Sequence, residues 1–153
     1  ARTRALAIKE KTSGAKALTV ALTLTNLATA QRRTGNLQFA TDSDTRALEI
    51  RKAALGPANP ELARNLTGLG ATSLLEGNAG KARGYLEQAL SLSTAKTIER
   101  GDAAFLLAKA LGKTDPLRRK ALVDEALASW PATYGSRQEA TSLQKGLDAT
   151  RTR

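Results

Sequence analysis

The 153-residue chain contains no cysteine, no histidine and no methionine. Without cysteine there is neither a disulfide nor a thiolate nucleophile, and without histidine there is no imidazole relay and no serine–histidine triad. Together the two absences remove the zinc sites built from those side chains. Aromatic residues make up 3% of the chain, as Phe39, Tyr85, Phe105, Trp130 and Tyr134. Long apolar runs are missing as well: the stretch from Val20 to Ala30 is interrupted by Thr23, Thr25, Asn26 and Thr29. It falls far short of the roughly 18 continuous apolar residues that a membrane span needs, so no membrane partner is expected. The glycines at 68, 70, 77, 80 and 84 lack the Lys-Ser/Thr ending of a phosphate-binding loop and read as close-packing points. Acidic pairs such as Asp42 with Asp44, or Asp124 with Glu125, have no third ligand beside them and read as solvated. No metal, no other cofactor and no enzymatic activity are therefore expected.

What is present is the composition of a packed domain, with 41% apolar and 25% charged residues. The net charge is +10, and it is uneven. Residues 1–33 carry Arg2, Arg4, Lys9, Lys11, Lys16, Arg32 and Arg33 against Glu10 alone, whereas residues 34–112 are nearly balanced, nine against eight, and the rest carries eight against five. A basic end of this kind is an electrostatic surface for an acidic partner. The chain starts at Ala1 with no charged-then-apolar leader, so it is expected to be a fragment of a longer protein, and the lack of cysteine is consistent with the cytoplasm.

Self-comparison shows a repeat. Ala5-Leu6-Ala7-Ile8 returns as Ala47-Leu48-Glu49-Ile50 and again as Ala89-Leu90-Ser91-Leu92, each time at an offset of 42 residues. In the same ungapped register Val20 matches Leu62, Ala21 matches Ala63, Leu24 matches Leu66, Leu27 matches Leu69, Gly35-Asn36 matches Gly77-Asn78, and Ala40 matches Ala82. Each period holds two stretches with apolar spacing of three or four residues, parted by a Gly-Asn pair suited to ending one helix and starting the next. That is a helical hairpin, and one hairpin cannot bury both of its faces, so units stack.

The pattern predicts helices at 2–13, 16–33, 37–55, 60–76, 79–93, 96–112, 116–129 and 136–150, and no strand. Gly56 suits a helix end, Asn59 a cap and Pro60 a first turn; Ser136-Arg137-Gln138-Glu139 has the form of a capping box. The domain reading is one domain over 1–153, with units near 1–15 (partial), 16–58, 59–95 and 96–131 and a capping helix at 136–150. The partner of the partial unit would lie upstream of Ala1, leaving an apolar stripe on the first helix open to self-association.

Leu24-Thr25-Asn26-Leu27-Ala28, Gly35, Ala47-Leu48-Glu49-Ile50 and Leu55-Gly56-Pro57-Ala58-Asn59-Pro60 resemble the tetratricopeptide repeat in its long variety, as in kinesin light chains. The third unit, Phe105 to Trp130, is similar to the degenerate last repeats of tetratricopeptide tails on bacterial serine/threonine kinases. The resemblance implies an all-α, right-handed α-α superhelix of three to four antiparallel hairpins. It further implies a protein-interaction scaffold, expected as a regulatory tail in signalling, whose first helices line a concave face. Departures are Asp44 where Leu86 stands one period later, Gln31 and Ser73 in place of a common aromatic, and Gly68 at the match to Asn26.

On that implied face the candidate partner-binding residues are Thr25, Asn26, Thr29, Arg33, Arg64, Thr67 and Lys109. An asparagine holds a peptide backbone through a donor and an acceptor at once, and an arginine forks onto a carboxylate. The expected partner is an acidic protein or peptide. The rival reading is nucleic-acid binding through the basic end, but none of the five aromatic residues is interleaved with that cluster.

Overall fold

The computed structural model describes residues 2–93 and 96–151, and the side chains of residues 13–93 and 96–149. The described residues form seven helices and no strand: α1 Arg2–Arg33, α2 Leu37–Leu55, α3 Leu62–Leu75, α4 Ala79–Leu92, α5 Ile98–Leu111, α6 Pro116–Ser129 and α7 Arg137–Arg151. None of them is long and apolar enough to cross a membrane. The two helices expected at 2–13 and 16–33 are one continuous helix, α1. Gly14 breaks nothing, because a glycine inside a helix costs only about 1 kcal/mol relative to alanine and no proline or left-handed residue accompanies it. The apolar stripe expected on Leu6 and Ile8, and the basic side chains of Arg2, Arg4, Lys9 and Lys11, lie outside the described residues.

The turns explain why the helices pair. At the end of α1 the Asn36 N–H donates to the Gln31 carbonyl (2.8 Å) and the Gly35 N–H to that of Arg32 (3.2 Å), with Gly35 at φ +82°. One period later the Asn78 N–H donates to Ser73 (2.8 Å) and the Gly77 N–H to Leu74 (3.0 Å), with Gly77 at φ +78°. Both are Schellman turns, which consume the last carbonyls of one helix and reverse the chain. Asn78 then caps α4, accepting from the Lys81 N–H at 3.0 Å. Asn59 acts one turn earlier than expected: it accepts from the Glu61 N–H at 2.9 Å, and α3 opens only at Leu62.

A second, unforeseen regularity closes the later units. The Arg100 guanidinium donates to the carbonyls of Leu90 and Ser93, and that of Arg137 to the carbonyls of Leu127 and Trp130. Each arginine thus caps the preceding hairpin from the start of the next helix, satisfying carbonyls that a helix end leaves open.

The α1/α2, α3/α4 and α5/α6 pairs form the tightest contacts, successive pairs stack, and the first helices meet side by side as α1 with α3 and α3 with α5. The hydrophobic core runs through the second and third hairpins, with Leu62, Leu66, Leu86, Phe105, Leu107, Leu122, Val123 and Trp130, and reaches α7 at Ala140. The first hairpin is filled differently. Its buried apolar residues are Ala21, Ala28, Ala40 and Ala47, and they share that interior with Thr25, Ser43, Asp44 and Arg51. Asp44 is therefore not solvated as expected; it is 1% exposed.

Two more expectations change. Leu27 and Val20 are 46% and 45% exposed, whereas their equivalents Leu69 and Leu62 are 2% and 1% exposed. The helix α2 packs against α3, and no described helix stands in that place against α1. Of the five glycines read as packing points, only Gly68 and Gly70 are. A Cβ on Gly70 would lie 2.6 Å from Leu86 Cγ, whereas one on Gly80 would meet only Asn78 Oδ1 at 3.9 Å, Gly84 faces open space and Gly77 belongs to the turn.

Candidate functional site: a groove along the first helices

Side chains three, four and seven residues apart share a helix face. On α1 these are Thr25, Thr29 and Arg32; on α3, Arg64, Thr67 and Ala71; on α5, Ile98, Asp102, Phe105 and Lys109. Because α1, α3 and α5 lie side by side, the three stripes line one groove of about 490 Å³, closed at its far end by Trp130, Tyr134 and Glu139.

At the α1 end the groove floor is a buried polar network. Asp44 accepts from Arg32 Nη1 (2.6 Å) and from Asn65 Nδ2 (2.7 Å). Arg32 also donates to the Gly68 carbonyl at 3.3 Å. Arg51 Nη1 donates to Thr25 Oγ1 (2.8 Å) and to Asn65 Oδ1, and Asn65 Nδ2 reaches Thr25 Oγ1 at 3.1 Å. Gly68 makes room for this, since a Cβ there would sit 2.4 Å from Asp44 Oδ2. Burial pushes the Asp44 carboxyl above its ordinary value against the opposing pull of Asn65 and Arg32. Burial likewise lowers Arg51, helped by the neighbouring charge of Arg64.

At the α7 end the groove is aromatic and acidic. Trp130 stacks on Tyr134 with centroids 4.8 Å apart and meets Phe105 edge-on at 5.4 Å. Asp102 Oδ1 accepts from both Trp130 Nε1 (3.0 Å) and Tyr134 Oη (2.7 Å). Gly101 admits the indole, because a Cβ there would lie 2.7 Å from Trp130 Nε1. Burial raises the Asp102 carboxyl despite those two bonds, and nearby Glu99 raises it further. Burial also raises the Tyr134 hydroxyl, with the Asp102 carboxylate adding to the shift. Lys109 pairs with Glu139 at 3.0 Å and stands 5.6 Å over the Phe105 ring.

Of the seven residues chosen from the sequence, Thr25, Thr29, Arg64, Thr67 and Lys109 line this groove. Thr25 does so from below, buried and bonded to Arg51 and Asn65 rather than presented to a partner. Asn26 and Arg33 are exposed but are not among the lining residues, a correction to their expected orientation. Each helix residue turns about 100° from the last, so Asn26 and Arg33 stand one step round from Thr25 and Arg32. Arg32 was the arginine in register, and its spacing from Thr25 and Thr29 was the signal for it. Asp44 was visible as a departure from the repeat, but Asp102, Tyr134 and Trp130 carry no repeat signal that joins them. Phe105 and Trp130 are each 4% exposed, so neither ring is open to a stacking base.

Beside the groove lies a second cavity of about 450 Å³, lined by Leu18, Leu22, Ala63 and Ala103, with Arg64 and Glu99 shared between the two. The sequence model of the tetratricopeptide repeat family matches residues 19–95. No curated protein matches the chain.

Proposed function

Because the chain belongs to the tetratricopeptide repeat family, whose stacked hairpins are protein-interaction scaffolds, we propose that it grips a segment of a partner protein in the groove along α1, α3 and α5. The observation that carries this reading is the convergence of Thr29, Arg64, Thr67 and Lys109 from three different helices on one cleft. Arg64 is exposed there and makes no hydrogen bond or ion pair among the described residues, so its guanidinium is free to fork onto a partner carboxylate. A cleft with several polar anchors spaced along it is what a peptide main chain requires. The three hairpins act as one domain closed by α7, and the likeness to long repeats and kinase tails supports a regulatory setting.

The test is affinity capture by the 153-residue chain, compared with Thr67→Trp, which fills the groove, and Arg64→Ala, which removes the free cation. Captured proteins should be lost with Thr67→Trp and weakened with Arg64→Ala, at unchanged melting temperature, while Arg33→Ala retains them. Undiminished capture by Thr67→Trp would defeat the reading. Recovery of RNA in place of defined proteins would favour the basic end instead.

A further inference from the structure

The groove is electrically divided. Toward α1, Arg32 is neutralised by Asp44, which leaves Arg64 as the open charge. Toward α7, Lys109 is neutralised by Glu139, which leaves Glu99 and Asp102. Both hydrogen bonds to Asp102 arrive at Oδ1, so Oδ2 has no partner among the described residues, and Glu99 makes no hydrogen bond or ion pair there. A wholly acidic segment would meet Arg64 favourably and then run into two carboxylates, a like-charge contact that costs affinity.

Resting on the groove reading, we propose that the occupant is a peptide segment bearing both charge signs, with a carboxylate at Arg64 and a lysine or arginine at Glu99 and Asp102. The walls at the acidic end suit the second side chain. Ile98 is 41% exposed and Leu106 also lines the groove, so an alkyl stem finds apolar cover. The hydrogen bonds from Trp130 and Tyr134 hold Asp102 at a set orientation. The groove already contains one example of this chemistry, since Lys109 lies over the Phe105 ring while pairing with Glu139. A cation between Glu99 and Asp102 also offsets the repulsion from Glu99, which adds to the effect of burial in raising the Asp102 carboxyl.

The experiment is selection of a phage-displayed library of random twelve-residue peptides on the chain, followed by fluorescence anisotropy with the enriched peptides. They should carry an acidic and a basic residue at a constant separation. Glu99→Gln and Asp102→Asn should weaken them at least about tenfold, as the loss of a charge-assisted bond does. Replacing the peptide's basic residue by alanine should abolish sensitivity to both substitutions, while sensitivity to Arg64→Ala persists. Asp102→Asn keeps an acceptor for Trp130 and Tyr134; should it fail to fold, Glu99→Gln, at an exposed position, decides alone. Peptides that are blocked by Thr67→Trp but are uniformly acidic, or indifferent to Glu99→Gln, would overturn this inference and leave the groove reading intact. No enrichment at all, or binding indifferent to Thr67→Trp, would overturn both.

Discussion

Two glycines show how a single side chain decides the sign of a stability change. Gly68 and Gly84 both lie inside helices, where alanine is intrinsically better by about 0.5–1 kcal/mol. Gly84 faces open space, so Gly84→Ala should stabilise by that amount. Gly68 abuts Asp44 Oδ2, and the ion pair with Arg32 leaves that carboxylate nowhere to go. Gly68→Ala should therefore destabilise by about 1–3 kcal/mol, as overpacking does. Paired urea melts of the two variants check both signs. Asp102 makes the second prediction at this scale. Its pKa is raised from 3.8 by burial, so the folded chain keeps a proton that the unfolded chain has already released. The stability this contributes is complete below 3.8 and drains away as pH climbs through the raised folded value. The melting temperature of the native sequence should gain on that of Asp102→Asn as pH is lowered from 7 toward 4, and a native sequence that lost ground to the variant would contradict it.

At the scale of the helix, small residues set how closely partners approach. Ala40 and Ala82 are both fully buried at matching positions of successive hairpins. Ala40→Phe and Ala82→Phe should each cost about 1–3 kcal/mol, measured by chemical denaturation, because neither interface has space for a ring. The repeat also yields a matched pair with opposite surroundings. Leu27 and Leu69 occupy the same register, but the first is 46% exposed and the second 2%. Leu69→Asn should lose about 3 kcal/mol or more through the deleted contacts and the buried amide, while Leu27→Asn should shift the midpoint by less than about 1 kcal/mol. Equal losses would mean that α1 is covered in solution as α3 is. The same pair marks a boundary of legibility. The spacing of Leu24 and Leu27 is helical whether or not a neighbour covers them, so periodicity reveals the element and its stripe but not the partner that buries it.

Across the whole molecule the stability is unevenly distributed. The second and third hairpins share a core of leucines, Phe105, Val123 and Trp130, whereas the first is held by alanines and the Arg32–Asp44–Asn65–Arg51 network. In a stack where each unit contacts only its neighbours, local stability follows local packing. Amide exchange should accordingly be faster in α2 than in α4 and α6, and uniform protection would argue for a single cooperative unit. Apart from the break expected between 2–13 and 16–33, which α1 runs through, the helices, their turns and their stacking were legible in the sequence because all three depend on short-range rules: spacing of apolar residues, glycine at a left-handed position, and recurrence at a fixed offset. Of the seven residues that the family resemblance implied for the groove, five line it. Asn26 and Arg33 went astray because one residue of phase is about 100° of rotation, and a stripe read from sequence carries no absolute angle. The joining of Asp102 to Trp130 and Tyr134, the burial of Asp44 beneath Gly68, and the gathering of Arg64, Glu99 and Asp102 along one groove were settled only by tertiary structure. Each depends on which side chains from distant helices come within bonding distance, and that distance is fixed by how the hairpins pack.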